Sequence, residues 1–302
     1  MTESNDARVR RVGVGYALAA YTIWGVAPVY FVWVNFALAL EILAHRILWS
    51  LPLLVVLVLL GRQWRALRAL SRRDVGRLAL CAALLSVNWL TFIYAIQIER
   101  IAETSLGYFI NPLVSLVLGA LFLAERMRLA QWLAAGLAAI GVGFELIMLG
   151  ELPWLGLALA FSFGFYGLIR KQLNLPSAVG LSVETALVAP AALSYLIWLH
   201  AWGPDPDRTV GQIAQLAAGG LVTALPLVCF AAAAIRLPLS VLSFFQYLAP
   251  SLSLLIAVAV YGETVSDSRW IAFALIWLAL VMFSVEGLYH RRRAIEQSWE
   301  GT

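Results

Sequence analysis

Two ionisable residues stand near the middle of long apolar runs, Arg46 within 38–60 and Glu184 within 178–200. A charged side chain in hydrocarbon is expensive, so a residue of this kind is kept for a partner or for a function. Each lies about three residues before the middle of its run, about 4 to 5 Å from the midplane at about 1.5 Å per residue. If the two runs cross in opposite directions, their backbones differ in depth by about 9 Å. That gap suits an extended Arg and Glu, or a small ligand between them. Two readings follow. One is a fixed Arg46–Glu184 ion pair. The other is a site in which Arg46 contacts an anionic group of a solute while Glu184 handles a cation or a proton.

Glu41 and His45 are four apart and share a helical face near one end of the same run. Histidine titrates near neutral pH and would serve a proton relay; the plainer reading sends both side chains to the headgroups. Glu145 and Glu286 read as interfacial. Asn111-Pro112 and Ala249-Pro250 fall mid-run. Each proline removes a backbone hydrogen bond and frees a carbonyl, so Pro112 and Pro250 are either simple bends or hinges, and the freed carbonyl with the Asn111 amide is a candidate binding element. Asn88, also mid-run, must find a partner in a bundle interior. It lines a cavity or ties helices together. Trp24, Trp89, Tyr94 and Tyr108, with Trp49 and Phe109, are aromatics placed to wall a pathway for a flat or amphipathic solute, or simply to pack.

The elements that carry these residues follow from composition. The chain has 302 residues, 62% in the hydrophobic set and only 13% charged, with a mean hydropathy of +0.86. A soluble domain carries about 25% charged residues, so the expectation is a polytopic membrane protein. Apolar runs lie at about 12–33, 38–60, 75–97, 102–124, 128–149, 152–169, 178–200, 211–233, 239–261 and 269–289. None alternates as a barrel strand would, so ten transmembrane helices are expected. The first run reads as a span, not a signal peptide. So little polar sequence joins it to the second that a hairpin is implied.

Orientation follows from the basic residues. With a cytoplasmic N-terminus, 17 of the 21 fall on the cytoplasmic side, among them Arg62 to Arg77, Arg126, Arg128, Arg170, Lys171, Arg236 and Arg291 to Arg293. Arg100, Arg208 and Arg269 fall opposite. Both termini are therefore expected in the cytoplasm. Arg62, Arg65, Arg68 and Arg72 would share one face of a helix along the inner leaflet. The charge is spread along the chain, which argues against nucleic acid as a partner.

A single offset of 138 residues pairs Pro52 with Pro190, Pro112 with Pro250, Ser115 with Ser253, Glu125 with Glu263 and Trp132 with Trp270. Each half holds five spans, an odd number, so the halves are inverted. Inverted repeats are how many secondary transporters obtain two access states, with the site at the repeat interface. The expected domains are 12–149 and 150–289, each a five-helix repeat, followed by a basic tail at 290–302. Ala135, Ala139 and Gly143 form a small-residue stripe suited to close helix contact, within a monomer or in a homodimer.

The run Tyr108 to Pro112 followed by Leu121-Phe122-Leu123-Ala124-Glu125-Arg126, on ten spans and a five-plus-five duplication, resembles the drug/metabolite transporter superfamily of the EamA type. Ala44-His45-Arg46-Ile47-Leu48-Trp49-Ser50, Asn88-Trp89 and Ser105 to Pro112 look like its RarD permease branch. The resemblance covers about residues 12–289. It implies the drug/metabolite transporter fold and a permease of the bacterial inner membrane, often an exporter, acting on a small-molecule substrate. The second half departs from the motif at Ala249, where the first has Asn111, so only the first-half site has an amide there.

Other classes fit less well. The sequence lacks H-E-x-x-H, G-x-S-x-G, a P-loop and a span-borne aspartate pair, so neither an intramembrane enzyme nor a cofactor or metal is expected. Cys81 and Cys229 both lie in apolar runs, which suits neither a disulfide nor zinc. The alternative to a permease is a channel or a non-transporting membrane scaffold; a channel would show rings of like charge or a filter motif.

Overall fold

The computed structural model describes residues 2–98, 100–203 and 208–300, and the side chains within 7–95, 97–98, 100, 103–203, 208–287 and 289. The expected tail side chains at 290–302, Arg291 to Arg293 among them, lie outside the described residues, as do Asp205 and Asp207.

Apolar composition without alternation produces helices throughout, and no strand occurs among the described residues. The helices are α1 (Thr2–Trp33), α2 (Ala39–Leu60), α3 (Trp64–Arg68), α4 (Arg72–Gln97), α5 (Ile101–Phe122), α6 (Leu129–Leu149), α7 (Trp154–Leu173), α8 (Ser177–Trp202), α9 (Val210–Ala234), α10 (Leu239–Gln246), α11 (Leu248–Ala259) and α12 (Asp267–Glu300). Among the described residues, nine helical segments are long and apolar enough to cross a bilayer, with Leu239–Ala259 counted as one. α7, at 20 residues, packs among them. Large apolar side chains such as Leu60, Leu121, Leu129 and Ile147 are more than 70% exposed. Water would not tolerate so much apolar surface, whereas lipid does. The chain is a multi-pass membrane protein.

Helix packing follows a regular plan. α2 packs on α8, α5 on α10, and α6 on α12. α1 packs on α9 as α7 packs on α4, α1 on α11 as α7 on α5, and α2 on α9 as α8 on α4. Each of these contacts thus has a counterpart, or is its own, when helices 138 residues apart are exchanged. Tyr247 Oη donates to the carbonyl of Phe109, the residue 138 positions earlier, at 3.3 Å.

Three local expectations are corrected. The arginine-rich connection is not one amphipathic helix: α3 spans five residues, so only Arg65 and Arg68 belong to it. Arg62 sits in the left-handed region at φ 52°, which breaks the shared face. α1 and α2, though joined by a short turn, pack chiefly on α9 rather than on each other. The small residues of α6 packed toward α12 are Ala134, Ala135, Ala138 and Gly141, so of the expected stripe only Ala135 is part of it: Ala139 is exposed, and a Cβ on Gly143 would meet nothing within 4 Å. A Cβ on Gly141 would approach the Ala272 carbonyl to 3.1 Å. The two mid-span prolines also differ. α5 runs unbroken across Pro112, whereas Tyr247, three residues before Pro250, separates α10 from α11.

Candidate functional site

The centre of the bundle is a narrow crevice walled by α2, α4, α8 and α9. Eight of its lining residues form four pairs at the 138-residue offset: Ile47 with Thr185, Ser50 with Val188, Leu85 with Thr223, and Trp89 with Leu227. Equivalent positions of the two halves therefore face each other across it, with different chemistry on each side. Glu184 lines the crevice directly, and Arg46 borders it through Thr223.

Arg46 is placed by an intimate α2–α9 contact. A Cβ on Gly220 would lie 2.5 Å from the Trp49 carbonyl carbon, and one on Gly219 would lie 2.6 Å from Arg46 Cγ. Only glycine at both positions lets the backbones come this close. Ser50 Oγ donates to the Arg46 carbonyl at 2.6 Å and lies 3.3 Å from the Gly220 carbonyl. The guanidinium, held against α9, donates from Nε to Thr223 Oγ1 at 2.7 Å. Its Cζ lies 5.1 Å from the Phe31 ring centroid, a cation–π distance. Tyr108 lies within Coulombic range and is 47% exposed, its ring 6.3 Å from that of Phe92. Among the described residues no group accepts from the two terminal nitrogens of Arg46.

Glu184 finds a different cation from the one expected. Its Oε1 is 3.4 Å from Arg170 Nη1, and its Oε2 accepts from Tyr166 Oη at 3.2 Å. Arg170 also reaches the Ser177 carbonyl at 3.4 Å. The Arg46–Glu184 pair does not form, because Arg170 already occupies the carboxylate. Arg170 is likewise no loop residue: it is 0% exposed, the largest fully buried side chain described. Its guanidinium fills the space that a Cβ on Gly180 would need.

The other glutamates of the bundle are also neutralised. Glu41 accepts from Arg208 Nε and Nη2 at 3.0 and 2.7 Å, a bidentate pair, so it is buried structure and not a headgroup contact. Glu103 pairs with Arg100 at 2.7 Å, Glu286 with Arg128 at 2.7 Å, and Glu145 with Arg269 at 3.5 Å. Glu125 accepts from the backbone N–H groups of Leu239 and Ser240 at 2.7 and 2.8 Å and from Ser240 Oγ at 2.7 Å, capping α10. Lys171 Nζ lies 3.8 Å from the same carboxylate and donates to the carbonyls of Ala234 and Leu237. This cluster latches the α5–α6 connection to α7, α9 and α10.

The remaining candidates separate. Asn88 ties α4 to α7 by donating to the Leu159 carbonyl and Ser162 Oγ at 2.9 and 3.0 Å. Trp24 joins Tyr21, Phe163 and Phe230 in a core aromatic cluster that Tyr166 completes. Tyr94 meets Trp154 at 6.3 Å, away from Arg46. Asn111 is buried with Oδ1 unpartnered among the described residues. His45 is half-buried one turn from Glu41.

Sequence reasoning missed Tyr166, Arg170, Thr223 and Phe31. Tyr166 and Arg170 are four apart on one face of α7, which was a readable signal. The Arg170-Lys171 doublet, read as a helix boundary, concealed it.

A lipid-facing helical bundle around a narrow, largely apolar crevice that holds a few polar groups fits one class: a membrane transporter of the drug/metabolite type. The EamA-like transporter family model matches residues 11–146 and again 152–285, and the chain belongs to that family. An uncharacterized transporter of Vibrio cholerae is 48% identical over 94% of this chain and 95% of its own length. Protein RarD of Escherichia coli is 46% identical over 95% and 99% respectively. The chain matches the RarD type of EamA permease. A crystal structure of a protein at 18% identity superposes with a TM-score of 0.69 over 91% of this chain and 96% of the other, which shows a shared fold.

Proposed function

We propose that this chain is a secondary-active permease that moves a small metabolite or drug-like solute outward across the bacterial inner membrane. It does so by alternating access between two inverted five-helix repeats, 12–149 and 150–289, with α7 as the tenth span and both termini in the cytoplasm. The observation that carries this reading is the crevice lined by offset-related pairs from both halves. A site on such an axis is bordered by the same elements whichever end is open, so rocking one repeat against the other exchanges access without rebuilding it. The reciprocal helix contacts and the double family match support the same arrangement. On this reading the Glu125–Lys171 cluster ties the two halves together at one end of the bundle, and opening that end must release it.

Proteoliposomes loaded with a bacterial metabolite extract test the function. Efflux followed by mass spectrometry is expected to deplete a small set of solutes faster than protein-free liposomes, saturating with load concentration. Non-saturating loss, or ionic conductance, would point to a channel instead.

A further inference from the structure

Every buried or half-buried glutamate described has its own cation, yet among the described residues Arg46 has no carboxylate. A guanidinium in a low-dielectric bundle needs a counter-charge, since hydroxyl and aromatic contacts compensate only part of the cost of leaving water. Here Thr223 takes Nε and Phe31 takes one face. The fork of two terminal nitrogens is left, a geometry matched to the two oxygens of a carboxylate. Tyr108 lies within range of the same charge with its ring half exposed, and Trp89 lines the adjoining crevice.

We infer that the solute bound in this crevice is an organic carboxylate with a flat apolar body, its carboxylate held by Arg46 and its body laid along Trp89 and Tyr108. The inference rests on the permease reading of the crevice and deepens it. Glu184 already faces a cation, Arg170 Nη1 at 3.4 Å from Oε1, and accepts from Tyr166 at Oε2, so its charge is not left for a positively charged solute group. A cationic solute would meet the unneutralised Arg46 charge and no free carboxylate.

The test is ligand-induced thermal stabilisation of the full chain in detergent, since a ligand that prefers the folded state raises its unfolding midpoint. The probes are phenylacetate, neutral phenylacetamide, cationic phenethylamine and sodium nitrate. Phenylacetate is expected to stabilise the wild type saturably, with the amide at least about ten-fold weaker and the amine inert. Arg46→Gln is expected to weaken phenylacetate at least about ten-fold, and Thr223→Val, which leaves the charge but not its anchor, by a few-fold. The wild-type series needs no variant to fold. Equal binding of amide and carboxylate, unchanged binding in Arg46→Gln, a nitrate effect equal to that of phenylacetate, or no effect of any carboxylate would each overturn the inference. Carboxylate binding without saturable flux would instead remove the permease reading and leave the anion site standing.

Discussion

Arg46 and Glu184 occupy equivalent positions in the two halves, and their surroundings have diverged. On α8 the charge is sealed: Glu184 is 2% exposed and is held by Arg170 and Tyr166 from α7. On α2 the charge is open: Arg46 has a threonine, a phenylalanine face and an unused fork. The same offset position is thus a rivet on α8 and, on the proposed reading, a receptor on α2. The lining pairs repeat the lesson, with Ser50 facing Val188 and Thr223 facing Leu85 across the axis. If the halves rock, matched helix packing would serve the motion, while recognition would need only one polar side.

The largest effect should separate the rivet from the receptor. Arg170→Met strands a buried carboxylate, so equilibrium unfolding in detergent is expected to show a loss of about 3–5 kcal/mol. Much of it should return in Arg170→Met with Glu184→Leu. Arg46→Met leaves no stranded partner and is expected to change stability by less than about 1 kcal/mol. Equal losses at the two sites would erase the distinction.

A smaller contrast lies between the paired glutamates. Glu125 caps α10 and faces Lys171, whereas Glu263 is exposed and has no side-chain partner among the described residues. Glu125→Gln is expected to cost about 1–3 kcal/mol and to speed amide exchange at Leu239 and Ser240. Glu263→Gln should stay within about 0.5 kcal/mol of the wild type. Faster exchange at Leu239 and Ser240 only in the Glu263 variant would remove Glu125 as the cap of α10.

Much of this fold was legible in the sequence, and the reason is physical. A bilayer core imposes a length and a composition on each crossing, so runs such as 38–60 and 128–149 lie within a residue or so of the observed helices. The 138-residue offset was legible because prolines and glutamates are rare in spans. Charge partners were not legible, since pairing depends on which helices meet. Glu41 finds Arg208, 167 residues away, and Arg170, beside a lysine at a helix end, carries no local mark of burial. Pro250 was visible as a bend, and the break at Tyr247 falls one turn before it, where the proline has no N–H to donate to the Gln246 carbonyl. Thr223 became important only through the close approach at Gly219 and Gly220.

If the two repeats rock about the crevice, the two ends of the bundle must move in opposition. Both native cysteines are buried, and with each replaced by alanine, spin labels placed at Arg126 and Gln172 report the latched end. Labels at Asn35 and Thr264 report the other. Pulsed electron–electron distance measurements in lipid, with and without a saturating transported solute, are expected to show one distance distribution lengthening as the other shortens. Distances that stay fixed, or that lengthen together, while flux continues would contradict rocking.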